Sequence, residues 1–399
     1  MNGPTHGEGT CTANGCQFRV DKRGFIPEIV DEYIQERVNV KKKMLQLKKD
    51  DPESPEIEAL DHYQQALKIL NNGLYGSLGQ KYFRWFDLRF AEAVTSTAQV
   101  CTRYVEQQLN LYLNKVLKTE GVDYVIAADT DSVYISFGKL VEALGAQGKS
   151  PSNITELLDK LCKAKFQPVI ERCCLELSKS FGVVDSKLKM KREAICEKAI
   201  WRAAKQYILN IWDLEGVRYK EPVLKYKGIE VVRSSTPMVC RDNLKKCLSI
   251  IMNKTEADLQ KFIKQFYNDY RKMPFEQVAF PRSINASLVE YSDPISVCKK
   301  GTPIHVRGAL IYNHLLEKLN LKKKYAPIRE KDKIRFAYLK EPNTAFSHVI
   351  AAPDELPKEF CLSDSIDIEM QWERAFKNPI KSITDVIKWQ IEKIARLPT

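Results

Sequence analysis

Residues 124–137 read Tyr-Val-Ile-Ala-Ala-Asp-Thr-Asp-Ser-Val-Tyr-Ile-Ser-Phe. Residues 124–128 form a short apolar run typical of a buried strand, and residues 132–137 form a second one. The three residues between them, Asp129 to Asp131, predict a turn because Asp favours turns. We therefore expect a β-hairpin that carries two carboxylates at its bend.

The two carboxylates at this bend are candidates for a metal site. Asp129 and Asp131 stand two residues apart, so in an extended chain their side chains would leave the same face. Carboxylates are hard oxygen ligands for Mg²⁺, and two of them held together are costly unless a cation neutralises them. An Asp-rich turn without a metal is the alternative. The apolar runs on both sides favour the metal site, because they would make the bend rigid.

Three helices are predicted before this hairpin. Residues 27–49 have an amphipathic spacing that begins at a proline, residues 57–74 have a second one that ends at Gly76 and Gly79, and residues 50–55 break the pattern with two prolines. The first two helices should therefore form an antiparallel hairpin. A third helix is expected from residue 87 to residue 116, whereas the first 23 residues predict a loop with one short strand.

After the hairpin, a helix is predicted over residues 155–181 and a run of strands over residues 199–232, with a turn at Leu214-Glu-Gly216. From residue 237 onward the pattern is mostly helical, apart from strand-like pieces at residues 304–312 and 334–339. The expected fold class is α+β.

A polar face on the first two helices suits a triphosphate. Gln64, Lys68, Asn72 and Tyr75 share one face of the second helix, and Arg37 and Lys41 share one face of the first. Arginine can fork onto phosphate oxygens and lysine acts as a point charge. A solvated polar stripe is the alternative, and periodicity alone favours that alternative.

Composition and charge exclude several classes of protein. The chain has 399 residues, of which 44% are hydrophobic, and 63 Lys and Arg face 51 Asp and Glu, for a net charge of +12. Such a chain is too apolar for disorder, and its spread of positive charge predicts a polyanionic partner. No apolar run reaches the length of a membrane span, and the eleven scattered cysteines favour a reducing compartment. We therefore expect a soluble, cytoplasmic protein, in the host cytoplasm if it is viral.

Two motifs in this chain resemble those of a known family. Ala128-Asp-Thr-Asp-Ser-Val-Tyr134 resembles the third polymerase motif of family B DNA polymerases, and Lys68-x-x-x-Asn72-x-x-Tyr75-Gly76 resembles their fingers motif. Further blocks resemble the T-even-type bacteriophage enzymes: Phe83-Arg-Trp-Phe-Asp-Leu-Arg89, Tyr207-Ile-Leu-Asn-Ile-Trp-Asp213, Glu221-Pro-Val-Leu-Lys-Tyr-Lys-Gly228, Ser234-Ser-Thr-Pro237 and Pro303-Ile-His-Val-Arg-Gly308. The resemblance runs from about residue 24 to about residue 380.

The resemblance implies catalytic and nucleotide-binding roles. Asp131 matches the family's catalytic metal ligand and Asp129 its weaker neighbour, which implies two Mg²⁺ ions and in-line nucleotidyl transfer. The residues implied in nucleotide binding are Arg37, Lys41 and Lys68 on the triphosphate, Asn72 beside it, and Tyr75 under the nascent base pair.

The resemblance also implies contacts with primer–template DNA. Lys205 and Tyr207 match the motif that holds the duplex, although Ala204 and Gln206 depart from the family's pattern and should weaken the grip on phosphate. Four residues in the later blocks are predicted to contact DNA as well: Lys225, Gly228, His305 and Arg307. No second metal ligand lies near His305 in the sequence, so a role in the core or facing phosphate is favoured over metal binding.

The resemblance divides the chain into a palm remnant or loop (1–23), fingers (24–80), palm (81–228) and thumb (229–399). Family B enzymes carry a second metal-binding Asp in an Asp-x-x-Ser-Leu-Tyr-Pro motif upstream of the fingers, and no such motif precedes residue 24. We therefore expect the C-terminal part of a split polymerase, inactive alone and completed by an N-terminal chain with the other Asp and the exonuclease.

Other interpretations stay open from the sequence. The chain could be a catalytically degenerate DNA-binding or accessory protein, or a truncated piece of a full polymerase. The expected partners are primer–template DNA, dNTPs and the N-terminal chain. A sliding clamp is a further candidate, but not through an evident C-terminal tail, because residues 394–399 lack an aromatic.

Overall fold

The computed structural model describes residues 9–391. The C-terminal residues considered above for clamp binding, and the first eight residues of the predicted palm remnant, lie outside this range. The chain divides into two compact units. The first runs to Glu197 and takes in Ile211–Val223, and the second comprises Lys198–Asn210 and the chain from Leu224 onward.

The first unit is mostly helical. Its helices are α1 (Phe25–Asp50), α2 (Glu56–Leu78), α3 (Leu88–Leu117), α4 (Gly138–Ala143), α5 (Pro151–Leu161) and α6 (Gln167–Ser180), with a π-helical turn at Cys162–Phe166. Its short strands are β1 (Thr10–Cys11), β2 (Gln17–Phe18), β3 (Val125–Asp129) and β4 (Ser132–Ile135), which pair β1 with β2 and β3 with β4, both antiparallel. The helices predicted from the sequence are confirmed, as is the central hairpin, but the N-terminal segment contains two strands where one was expected.

Helix α3 carries the β3–β4 hairpin. Val105, Leu109 and Leu113 on α3 are buried against the start of β3. The side-chain oxygen of Asn110 accepts hydrogen bonds from the backbone N–H groups of Tyr124 (2.8 Å) and Val125 (3.0 Å). The first residues of the hairpin are therefore tied to the helix by both apolar contact and hydrogen bonds.

A three-stranded sheet contains residues of both units. Its strands are β5 (Ala194–Ala203), β6 (Gln206–Leu214) and β7 (Val217–Lys227), in the order β5-β6-β7. The predicted run of strands and the turn at Leu214-Glu-Gly216 are confirmed. Glu215 and Gly216 both have positive φ, +53° and +84°, as a tight two-residue turn requires.

The second unit combines helices with a small sheet. Its helices are α7 (Met238–Asn253), α8 (Glu256–Tyr270), α9 (Phe275–Val278), α10 (Leu288–Tyr291), α11 (Ile304–Lys318), α12 (Ile368–Trp372) and α13 (Asn378–Thr384). Its strands are β8 (Phe280–Ser283), β9 (Ser292–Asp293), β10 (Val297–Cys298), β11 (Lys333–Tyr338) and β12 (Val349–Ala352). Strands β12, β11 and β8 form an antiparallel sheet in that order. The short helical segments are Glu230–Val232, Lys358–Phe360, Ser363–Ser365 and the π-helical turn Glu373–Lys377.

The predicted strand at residues 304–312 is wrong, because these residues begin helix α11. The helix starts directly after Pro303 and is buried on most of its surface, so no polar face reveals the helical period. At Gly308 an added Cβ would lie 3.0 Å from backbone atoms of Ile350 and Ala351. This glycine lets the helix lie directly on β12, a contact that the local sequence does not encode.

Helices and small antiparallel sheets together confirm the α+β class. Within residues 9–391, no helix combines the length and the apolarity needed to cross a lipid bilayer.

Candidate functional site

The turn between β3 and β4 presents both predicted aspartates. Asp129 is the last residue of β3 and pairs with Ser132, so Thr130 and Asp131 alone form the turn. Thr130 has φ +54°, and the Asp131 N–H donates to the Asp129 carbonyl at 2.6 Å. The expectation that both carboxylates leave the same face of an extended chain therefore does not apply, because Thr130 between them is not extended. Asp131 is exposed and Asp129 is half-buried.

Side-chain hydroxyls hold this turn in place. The Thr102 hydroxyl, on the buried face of α3, donates to the Thr130 carbonyl at 2.7 Å. The Ser132 hydroxyl donates to the Asp129 carbonyl at 3.1 Å, and the Thr130 hydroxyl donates to Oδ1 of Asp129 at 3.1 Å. The turn is thus hydrogen-bonded to helix α3, and further hydrogen bonds join its own residues to one another.

Sequence reasoning missed Thr102. The available signal was its place on the face of α3 that also carries Val105, Leu109 and Leu113, where a polar residue is unusual and needs a partner.

The two carboxylates of the turn are suitable ligands for Mg²⁺, but they would form only part of a complete metal site. Carboxylate oxygens are preferred ligands of this ion, and Asp129 and Asp131 supply two carboxylates. Within residues 9–391, no group of three or more His, Cys, Asp and Glu side chains is placed to hold a metal. The other ligands of a bound ion would have to be water, phosphate oxygens or a carboxylate from another segment.

The α1–α2 hairpin brings part of the predicted polar face together. Nε of Arg37 donates to Oε1 of Gln64 at 3.2 Å, and Gln64 is buried between the helices. Lys68 and Asn72 are exposed on α2. The Tyr75 hydroxyl, near the end of α2, donates to the Ala91 carbonyl on α3 at 3.4 Å. Arg37 is therefore held at the helix interface, whereas Lys68 extends into solvent.

Lys41 has a partner that the sequence did not indicate. Its ammonium forms an ion pair with Glu215 at the tip of the β6–β7 turn, and both side chains are about three-quarters buried. Asp213 braces that turn: its Oδ1 accepts from the Gly216 N–H at 3.0 Å, and the carboxylate pairs with Arg192. The cation expected to meet a triphosphate is thus already paired with a carboxylate on a braced turn.

In the second unit, the residues predicted to contact DNA differ in exposure. Lys205 and Lys225 are exposed, whereas Tyr207 is only 6% exposed, with its ring 6.3 Å from that of Trp201. Most of the Tyr207 side chain is therefore buried, and its contact with DNA stays a prediction.

His305 and Arg307 lie in the first turns of α11, and both are half-buried. Burial and, to a smaller extent, the nearby charge of Arg282 lower the pKa of His305. A lowered pKa keeps the imidazole neutral at pH 7, so it could donate a hydrogen bond to phosphate but not a charge.

Gly228 lies against the turn that carries Lys205. It has φ +69°, and an added Cβ would lie 2.3 Å from the Lys205 carbonyl oxygen. Only glycine allows this close approach without moving the turn.

We expect Gly228→Ala to lower the free energy of unfolding by about 1–3 kcal/mol more than Gly301→Ala does. Gly301 is the matched control, because it also has positive φ (+86°) but has no atom within 4 Å of an added Cβ. Chemical denaturation measures both. Equal losses would mean that backbone strain alone sets the cost and that the turn at Lys205 does not depend on the close approach.

Comparisons with known proteins agree with the motifs. Residues 8–149 match the profile of DNA polymerase family B. Over this range the chain is similar to the family B DNA polymerases. Two relatives are the DNA-directed DNA polymerases of Enterobacteria phage T4 and Escherichia phage RB69, each 33% identical over 83% of this chain. DNA polymerase 1 of Pyrococcus abyssi is 28% identical over 61% of it. The predicted resemblance to T4-type enzymes is thus confirmed.

The chain is much shorter than these relatives. It spans 38% of the length of the T4 protein and 37% of the length of the RB69 protein.

Proposed function

We propose that this chain forms the fingers, part of the palm and the thumb of a template-directed DNA polymerase, within the ranges 24–80, 81–228 and 229–399. The observation that carries the proposal is the Asp129–Asp131 turn, which α3 holds rigidly through Thr102 in the same compact unit as the α1–α2 hairpin. A metal-binding turn and a cationic helical hairpin in one unit are two of the parts that nucleotidyl transfer needs.

In this proposal, Asp131 is the main metal ligand and Asp129 the weaker one. Bound Mg²⁺ ions supply Lewis-acid activation of the primer hydroxyl and charge neutralisation at the leaving pyrophosphate. The hydrogen bonds from Thr102 and Ser132 to the turn keep the two carboxylates in position before substrate arrives.

Lys68, Arg37 and Lys41 bind the triphosphate of the incoming nucleotide, with Asn72 beside it, and Tyr75 packs under the new base pair. Lys68 is exposed and ready for phosphate, whereas Arg37 is oriented by Gln64. Lys41 must leave Glu215 before it can meet phosphate. The exposed Lys205 and Lys225 grip the duplex, together with the half-buried Arg307.

A further polypeptide segment completes the metal site in this proposal, as a separate N-terminal chain that also carries the exonuclease. Two observations support it. Among the described residues β3 pairs only with β4, so the sheet that carries the aspartates has two open edges. Large aromatic side chains lie exposed just after the fingers, including Tyr82 (81%) and Trp85 (46%). Open edges and exposed aromatics are the features of a surface that another segment covers.

We expect Lys68→Ala to raise the KM for dNTPs at least about tenfold, because it removes a charge-assisted contact to phosphate. The affinity for duplex DNA should change little. Steady-state extension by the completed enzyme gives the KM, and fluorescence anisotropy with a primer–template gives the DNA affinity.

Lys42→Ala is the control for this experiment, since Lys42 is an exposed lysine on α1 outside the predicted face. If Lys68→Ala weakened DNA binding as much as nucleotide use, the α1–α2 hairpin would be a DNA-binding surface, as in a degenerate accessory protein.

A further inference from the structure

A concave site in the second unit is lined by arginines that the proposed function does not use. Four arginines line it: Arg202 on β5, Arg233 after the Glu230–Val232 segment, Arg282 on β8, and Arg374 just before α13. Glu230 and Thr236 lie on the same wall. We call this site, of about 340 Å³, the arginine cleft.

The charge inside the arginine cleft is unbalanced. Among residues 9–391, Glu230 is the one carboxylate in the lining, and two arginines share it: Arg202 donates to it at 2.9 Å, and Arg233 lies 3.6 Å from it. Within residues 9–391, Arg282 and Arg374 form no ion pair with a carboxylate. Four guanidinium groups around one carboxylate repel one another, and an anion between them would relieve that repulsion.

Two of the four arginines are held in place by neighbouring side chains. Nη1 of Arg374 donates to the Tyr338 hydroxyl at 2.7 Å, and its guanidinium stacks on the Tyr338 ring at 4.5 Å. Arg202 donates to the Ser382 hydroxyl and to Oε1 of Gln206, both at 2.7 Å. Groups held before a ligand arrives lose little freedom on binding, which favours binding over a solvated surface cluster.

We propose that the arginine cleft is a phosphate-binding site of the second unit. Guanidinium forks match the oxygens of a phosphate, which offers several acceptors and up to two negative charges, better than they match a single carboxylate. The Thr236 hydroxyl adds a neutral donor to the wall. The same chemistry has two sources: a backbone phosphate of DNA, or the phosphate of a free nucleotide or pyrophosphate. Gln206 links Arg202 to the turn that carries Lys205, which favours the DNA backbone.

The test compares Arg282→Gln, Arg374→Gln and the double variant with the unchanged full chain. These two arginines are chosen because neither supports Glu230, whereas Arg202 ties together three parts of the unit. Arg329→Gln is the matched control, as an exposed arginine of the same unit that does not line the cleft. Circular dichroism and thermal midpoints confirm that all variants are folded.

Two binding measurements separate the two sources. Fluorescence anisotropy with a primer–template over a salt series should show about tenfold weaker binding per arginine if the cleft holds a DNA phosphate. The double variant, which loses the contact with that one phosphate, should reduce the salt slope by about 1. If the cleft instead holds a free phosphate, the arginine variants should bind inorganic pyrophosphate about tenfold or more weakly than the unchanged chain does, as measured by calorimetric titration. Their affinity for DNA should then be unchanged. The arginine substitutions should weaken pyrophosphate binding by the same factor in a chain that also carries Lys68→Ala, because Lys68 belongs to the first unit and the cleft to the second.

Unchanged DNA affinity, salt slope and pyrophosphate affinity in the folded double variant would overturn the proposal. Binding of primer–template by the unchanged chain tests the proposed polymerase function separately. If that chain bound pyrophosphate through these arginines but did not bind primer–template, the polymerase proposal would fail and the cleft would stand.

Discussion

Asp131→Asn is expected to lower the rate of nucleotide incorporation by the completed enzyme about 10³-fold or more. The substitution keeps the side-chain volume but removes a charged ligand at the exposed tip of the β3–β4 turn. Metal ions stabilise transition-state charge by several kcal/mol, and each 1.36 kcal/mol is a factor of ten in rate. Primer–template affinity should change little, because the ground state needs the metal much less than the transition state does.

Asp123→Asn is the control for this experiment. Asp123 is an exposed aspartate of the same unit that lies just before β3, where it accepts from Asn110 at 3.2 Å. Single-turnover extension and anisotropy should be measured on both variants. If Asp131→Asn incorporated nucleotides at the normal rate, the metal would have to bind elsewhere in the enzyme.

The chain of residues 1–399 alone is expected to give no measurable primer extension with Mg²⁺ and dNTPs. Two neighbouring carboxylates cannot fix two metal ions in the geometry of in-line displacement, so the loss should amount to several orders of magnitude. Adding a polypeptide that carries the Asp-x-x-Ser-Leu-Tyr-Pro motif should restore extension. The two polypeptides should also elute as one species from size-exclusion chromatography at about 0.5 M salt, since an interface that replaces a domain interior is large and apolar.

DNA binding by the same preparation, measured by anisotropy, shows that an inactive chain is folded. Robust extension by the chain alone would contradict the expectation, as would two folded polypeptides that elute separately and gain no activity when mixed.

The parts of the fold that depend on local pattern could be predicted from the sequence. Helices α1, α2 and α3 begin and end within a few residues of the predicted bounds, because prolines, glycines and the capping residue Asp87 mark their limits. The β3–β4 hairpin was equally clear, because two apolar runs flank a polar turn.

The features that depend on distant contacts could not be predicted. Helix α11 has β-branched residues at its start and a mostly buried surface, so only its contact with β12 reveals it as a helix. The pairing of Lys41 with Glu215 joins residues 174 positions apart, and nothing in either neighbourhood indicates it. The bond from Thr102 to Thr130 requires knowing which face of α3 lies under the turn.

Helix α3 also restricts where the chain can change in length. It starts beside the end of α2, where the Asp87 N–H donates to the Leu78 carbonyl, and Thr102 bonds to the aspartate turn about 21 Å further along the helix. One inserted residue between these points would rotate Thr102 by about 100° and advance it by about 1.5 Å, so its hydroxyl would miss the turn. An insertion of seven residues would nearly restore the direction but lengthen the helix by about 10 Å. Insertions and deletions tolerated in natural variants should therefore fall outside Leu88–Thr102.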